Sequence, residues 1–189
     1  MTDQLTAEDK QVLLRLARQA LESGVRGEIL PPLDQDSLSP QLRADGAAFV
    51  TLTERGQLRG CIGALEAYQP LVEDVREHAI AAALSDYRFP PVQASELQGI
   101  HIEVSHLTAP VNLEYAGPEE LVAKLRPGVD GVILRDGNRR ATFLPQVWEQ
   151  LPNVEDFLGH LCQKMGSVSD LWRRKHLDVQ TYQVEEFHE

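Results

Sequence analysis

The chain has 189 residues, 42% of them hydrophobic and 25% charged, ordinary proportions for a globular protein with one sizeable core or two small lobes sharing a sheet. Its formal net charge of −11 opposes phosphate binding and argues against a nucleic-acid partner. No run is long and apolar enough to cross a bilayer, and Met1-Thr2-Asp3-Gln4 lacks the basic and apolar regions of a secretory signal. The two cysteines are therefore expected as reduced thiols in a cytoplasm.

In chain order, Thr6-Ala7-Glu8-Asp9 reads as a helix start with Thr6 as N-cap and acids in the first turn. Val12, Leu13, Leu16, Ala17, Ala20 and Leu21 follow on one helical face, with Gly24 as the expected stop. Residues 25–46 carry Pro31, Pro32 and Pro40 and read as a long surface connection. Ala48 to Thr53 and Leu58 to Leu65 are predicted strands joined by the turn Glu54-Arg55-Gly56-Gln57, a β-hairpin. Pro70 opens a helix to about Leu84, whose buried stripe is Leu71, Val75, Ala79, Ala82 and Ala83. The stretch Ser85 to Pro91 breaks it, because Pro90 biases Phe89 away from helix.

Gly99 to Leu107 is a third predicted strand, and Pro118-Glu119-Glu120 starts a short helix. Val132 to Arg135 and Arg139 to Leu144 flank Asp136-Gly137-Asn138, a second hairpin signal. Asn153 caps a helix carrying Phe157, Leu158, Leu161, Cys162 and Met165, with Gly166 as its stop, and Val179 to Val184 has strand composition. Arg173-Arg174-Lys175-His176 is the densest basic run and reads as a solvated helix end. Strands and helices do not alternate regularly, so the expected class is α+β, a mostly antiparallel sheet with flanking helices.

The most informative stretch is Leu58-Arg59-Gly60-Cys61-Ile62-Gly63. Three further segments accompany it: Asp86-Tyr87-Arg88-Phe89-Pro90-Pro91, Glu103-Val104-Ser105-His106-Leu107, and Gly131 with Thr142-Phe143-Leu144-Pro145-Gln146-Val147. These four motifs, in this order, resemble the pattern of the AMMECR family, whose prokaryotic members are called AmmeMemoRadiSam system protein A. Tyr87 stands where that pattern has Pro, which loosens the loop, and Lys164-Met165-Gly166 stands where Lys-Ala-Gly is typical. The resemblance implies one α+β domain over residues 1–189 with a larger and a smaller lobe. It also implies association with a Memo-like protein and a radical SAM protein. It implies no particular reaction and no cofactor.

The residues themselves suggest a site. Side chains alternate along a strand, so Arg59, Cys61 and Gly63 share one face while Leu58 and Ile62 point to the core. Arg59, two residues from Cys61, is placed to stabilise a thiolate, and Gly60 and Gly63 are candidate ligand-binding positions in a groove around it. Cys61 is the candidate nucleophile or redox thiol; the alternative is a small buried hydrophobe with glycines for close helix packing. His101 and Glu103 alternate with Ile100, Ile102 and Val104, and complete a Cys–His–Glu constellation if their strand lies near Cys61; the alternative is one wet sheet face.

Asp86 and Arg88 lie in a loop stiffened by Pro90 and Pro91, suited to hold either an anion or an internal ion pair. Arg140 and Thr142 on the second hairpin add a cation and a hydroxyl for an anionic small molecule. His78 is read as a packed or boundary histidine. Cys-x-x-Cys, His-Glu-x-x-His, phosphate-loop, dinucleotide and Gly-x-Ser-x-Gly motifs are absent, so spacing indicates no metal and no usual NTPase, dehydrogenase or serine hydrolase. Two readings remain: an enzyme or enzyme component acting on an anionic small molecule at a Cys61/Arg59 pocket, and a non-catalytic adaptor for the two partners.

Overall fold

The computed structural model describes residues 4–189, and the secretory-signal reading of Met1, Thr2 and Asp3 lies outside the described residues. The chain divides into two compact units, one running to Thr108 and taking back Glu185–Glu189, the other Ala109–Val184.

In the first unit α1 (Ala7–Arg26) begins at a capping box. The Thr6 hydroxyl accepts the Asp9 N–H at 3.1 Å and the Asp9 carboxylate accepts the Thr6 N–H at 3.0 Å. Gly24 does not stop this helix; the left-handed cap is Gly27. Gly24 serves packing instead, since a Cβ there would lie 3.0 Å from Ile80. The connection after α1 contains a short 3-10 turn, Gln35–Ser37, and α2 (Pro40–Arg43), capped by Ser39. Next come β1 (Asp45–Glu54), β2 (Gln57–Gly63), the two-residue β3 (Gln69–Pro70), α3 (Leu71–Leu84) and β4 (Ile100–Leu107). Arg55 and Gly56 both have positive φ, 52° and 77°, as a two-residue turn matching strand twist requires.

The sheet of this unit runs β2-β1-β4, with β3 also paired to β1, and its resolved pairings are antiparallel. Ala48, Val50 and Leu52 of β1 and Ile100, Ile102 and Val104 of β4 turn one face toward α1 and α3, where the core lies. The expected stripe of α3 is buried in full. Asp74, wholly buried in the same helix, accepts the Ala48 N–H at 2.9 Å and lies 3.2 Å from His78 Nδ1, so His78 is packed as expected. This carboxylate ties the first turn of α3 to β1.

The second unit contains β5 (Val111–Asn112), α4 (Pro118–Lys124), β6 (Gly131–Asp136), β7 (Arg139–Phe143), α5 (Val154–Lys164), α6 (Leu171–Arg174) and β8 (Asp178–Tyr182). Its antiparallel sheet has the order β5-β8-β6-β7. Val132, Leu134, Ala141 and Val179 face the core with Phe157, Leu158, Leu161 and Cys162 of α5. Trp148 stacks on Phe157 at 3.6 Å and donates from its indole to the Asp130 carbonyl at 2.7 Å. The basic run at residues 173–175 is ion-paired: Arg173 with Glu155, Arg174 with Asp170, Lys175 with Asp136. The single tail strand expected over Val179 to Val184 is two strands: β8 here, and β9 (Val184–His188), which joins the first unit's sheet beside β4. The fold is α+β. No helix among the described residues is long and apolar enough to cross a membrane.

Candidate functional site

The hexapeptide forms most of β2, the edge strand beside β1. Its register is broken once. Leu52 pairs with Gly60 but Thr53 pairs with Leu58, so Arg59 is the extra residue of a β-bulge. The bulge reverses the expected side-chain alternation below it. Leu58 lies opposite Thr53 rather than on the core face and is 44% exposed, which corrects its assignment to the core.

Above the bulge, Cys61 pairs with Thr51 and Thr51 with Glu103, a row of three side chains on the face turned away from the core. The Thr51 hydroxyl donates to Cys61 Sγ at 3.2 Å, and Cys61 is half-buried. Glu103 is two strands away, about 10 Å in backbone terms. His101 pairs with Thr53 a further two residues along, about 12 Å from Cys61 by the same spacing, and is exposed. Hydrogen-bond reach is about 3 Å, so the face is shared but the Cys–His–Glu constellation is not assembled.

The glycines have structural occupants. A Cβ on Gly60 would lie 2.1 Å from the Ala82 carbonyl oxygen, so Gly60 is where the last turn of α3 seats on the sheet, not a ligand position. A Cβ on Gly63 would lie 2.4 Å from the Phe49 ring, its cross-strand partner, which fills the space expected to be open. Arg59 is not the cation beside the thiol. Its guanidinium grips Glu96 at 2.8 and 3.2 Å and the Pro90 carbonyl at 2.9 Å. Arg59, followed by the Gln93 N–H, holds the Glu96 carboxyl below its usual range.

The Asp86–Arg88 loop takes the place next to Cys61. Asp86, 5% exposed, accepts the outward Cys61 N–H at 2.9 Å. It also accepts the Arg88 N–H at 3.1 Å and its guanidinium at 3.0 and 2.7 Å, while Arg88 reaches the Cys61 carbonyl at 3.3 Å. The two side chains thus satisfy the free edge of β2 as a neighbouring strand would. Because the Cys61 backbone points outward, its pair with Thr51 is of the non-hydrogen-bonded kind, in which side chains lie closer. The Arg88 hydrogen bonds, helped by the Cys61 and Arg88 N–H groups, hold the Asp86 carboxyl well below the usual carboxylate range against the cost of burial. Asp86 reciprocally raises the Arg88 pKa, and the Cys61 thiol adds a smaller electrostatic contribution. Arg88, 45% exposed at the side chain, is therefore the cation bonded to Cys61, at its backbone carbonyl.

Tyr87 does not loosen this loop. The Phe89 N–H closes a turn on the Asp86 carbonyl at 3.1 Å and Asp86 bonds across it, so the turn is held without a proline.

Arg140 and Thr142 belong to the second unit. Thr142 is buried against Tyr182, hydroxyl to hydroxyl at 3.0 Å, and its carbonyl accepts from Lys164 at 2.9 Å; this engaged hydroxyl corrects its expected role as an open ligand donor. The Tyr182 phenol, pushed up by burial and pulled down by Thr142 and Arg140, covers Gly131. Glu96, Thr51 and the bulge escaped sequence reasoning, since each acts across loops or strands whose register no local pattern states. Among the described residues no cluster of His, Cys, Asp or Glu is placed to hold a metal ion.

The AMMECR1 family model matches residues 14–187. A protein of Methanothermobacter thermautotrophicus is 39% identical over 186 residues, covering 98% of this chain and 96% of its own. One of Methanopyrus kandleri is 40% identical over 201 residues, covering 100% and 92%. The crystal structure of an uncharacterised protein from Pyrococcus horikoshii is similar with a TM-score of 0.76 and 37% identity, covering 98% of this chain and 93% of that one.

Proposed function

The chain belongs to the AMMECR1 family, and from that membership and the geometry of β2 we propose that it is a non-catalytic binding module. Its partners are those the family resemblance implies, a Memo-like protein and a radical SAM protein, and it docks them through the loop clamped to the β2 edge. We read the two units as lobes of one domain acting in a reducing compartment such as the cytoplasm; both cysteines are free thiols.

One observation carries this reading. Tyr87 is 95% exposed on a loop immobilised on both sides, by Asp86 buried against Cys61 and by Arg88 packed over the Phe89 ring at 5.5 Å. Tyr and Arg dominate binding hot spots, and a rigid loop loses little entropy on docking. Catalysis is the weaker reading because, among the described residues, Cys61 Sγ is bonded to the Thr51 hydroxyl and to no base. It keeps one supporting observation, a half-buried Cys61 whose backbone carbonyl holds the Arg88 guanidinium at 3.3 Å.

Titration calorimetry with each purified partner tests the proposal. Tyr87→Ala weakens binding at least about 10-fold with an unchanged melting temperature, and Cys61→Ser leaves affinity within about 2-fold. Absence of binding by the unaltered chain, or a Tyr87→Ala affinity equal to its own, overturns the docking reading. Loss of a measurable turnover in a stable Cys61→Ser variant favours the thiol instead.

A further inference from the structure

We propose that the second unit carries a binding site of its own, a groove on the face of β5, β8 and β6 opposite the one packed on α5, that takes a free α-amino acid. The groove has a volume of about 310 Å3. At the volume of liquid water, about 30 Å3 per molecule, it holds about ten non-hydrogen atoms, the size of a mid-sized amino acid.

Register builds the floor. Ile133 pairs with Gln180, and Gln180 with Asn112, while Arg135 pairs with Asp178, so these side chains from three strands share one face. Gln180 donates to Asn112 Oδ1 at 3.0 Å, leaving the Gln180 carbonyl and the Asn112 amide protons for a ligand. The wall is rigid. The buried Tyr115 hydroxyl accepts the Leu177 N–H at 2.8 Å and donates to the Leu177 carbonyl at 2.9 Å, and its ring stacks under His176 at 4.3 Å and 16°. The imidazole thus lies flat on the phenol ring, with neither ring nitrogen in a hydrogen bond among the described residues.

The charges select the ligand class. Arg135, Glu114 and Asp178 all line the groove, and none forms a side-chain ion pair or hydrogen bond among the described residues. Elsewhere in the unit Asp130, Asp136, Glu120, Glu155 and Asp170 are each paired with a nearby cation. A purely anionic ligand meets the two carboxylates and a purely cationic one meets the guanidinium. A zwitterion meets neither penalty when its carboxylate takes Arg135 and its ammonium takes Glu114 and Asp178.

The test uses the full chain, with the backbone amide shifts of residues 112–114 and 176–180 followed by nuclear magnetic resonance. L-Leucine, L-glutamine and L-lysine are titrated separately, each against its N-acetyl and its carboxamide derivative. The expected result is a saturable shift with at least one amino acid, binding at least about 10-fold weaker for both of its blocked derivatives, and a comparable loss in Arg135→Gln at unchanged melting temperature. Three unsaturated titrations, equal binding of a blocked derivative, or undiminished binding by Arg135→Gln overturns the site.

Discussion

Gly60→Ala is expected to destabilise the first unit by about 3 kcal/mol, lowering its melting temperature by about 6–12 °C in a chain of this size. The added methyl carbon would lie 2.1 Å from the Ala82 carbonyl oxygen. The obstacle is helix backbone, not the end of a flexible side chain, so relief requires moving α3 away from the sheet and opening the core at Ala79, Ala82 and Ala83. The cost therefore falls at the upper end of the usual penalty for overpacking. Thermal unfolding followed by circular dichroism measures it. A melting temperature within about 2 °C of the parent would show that α3 is not seated on β2, and partner binding lost at full stability would return Gly60 to the ligand site.

Asp86→Asn is expected to destabilise the chain by about 2–3 kcal/mol at neutral pH, and the difference should vanish in acid. The substitution removes a buried charge that faces Arg88 and holds the Cys61 N–H. The loss is smaller than the ~3–5 kcal/mol of a fully buried pair because the Arg88 side chain is 45% exposed and partly solvated. The Asp86 carboxyl is depressed in the folded state relative to about 3.9 in the unfolded chain. Its contribution is thus complete well above pH 4 and disappears as pH falls toward the folded value, when the parent must protonate Asp86. Urea unfolding of both chains at pH 7, 5, 4 and 3 measures the gap. A gap that is absent at pH 7, or constant down to pH 3, would remove Asp86 as the clamp on the edge strand. If it holds, Asp86→Asn should also weaken partner binding through Tyr87, because the displayed loop loses its anchor.

The two substitutions separate the two parts of the hexapeptide motif. Gly60 and Gly63 are small because a helix carbonyl and an aromatic ring occupy the space a side chain would need. Cys61 matters first through its backbone, which is where the Asp86–Arg88 loop attaches. The thiol makes none of those bonds and accepts from Thr51 instead, so Cys61→Ser alters sulfur chemistry while the backbone attachment of the loop remains.

Family membership, the α+β class, the cap at Thr6, both hairpins and the buried stripe of α3 were legible in the amino-acid order, because each is decided within a few residues by caps, turn residues and hydrophobic period. The face of Cys61 was legible for the same reason, from alternation with Ile62. What local pattern could not determine was everything that depends on register and on which loop returns to which edge. A two-residue turn at Arg55-Gly56 alone would set Cys61 opposite Val50 on the core face; one extra residue at Arg59 shifts it to Thr51. Arg59 then finds Glu96, 37 positions away, and the cation that reaches Cys61 is Arg88, at the backbone carbonyl. Short-range preferences choose the elements, but a guanidinium pairs with whichever carboxylate the chain brings within 3 Å, and only the assembled sheet and its returning loops decide that.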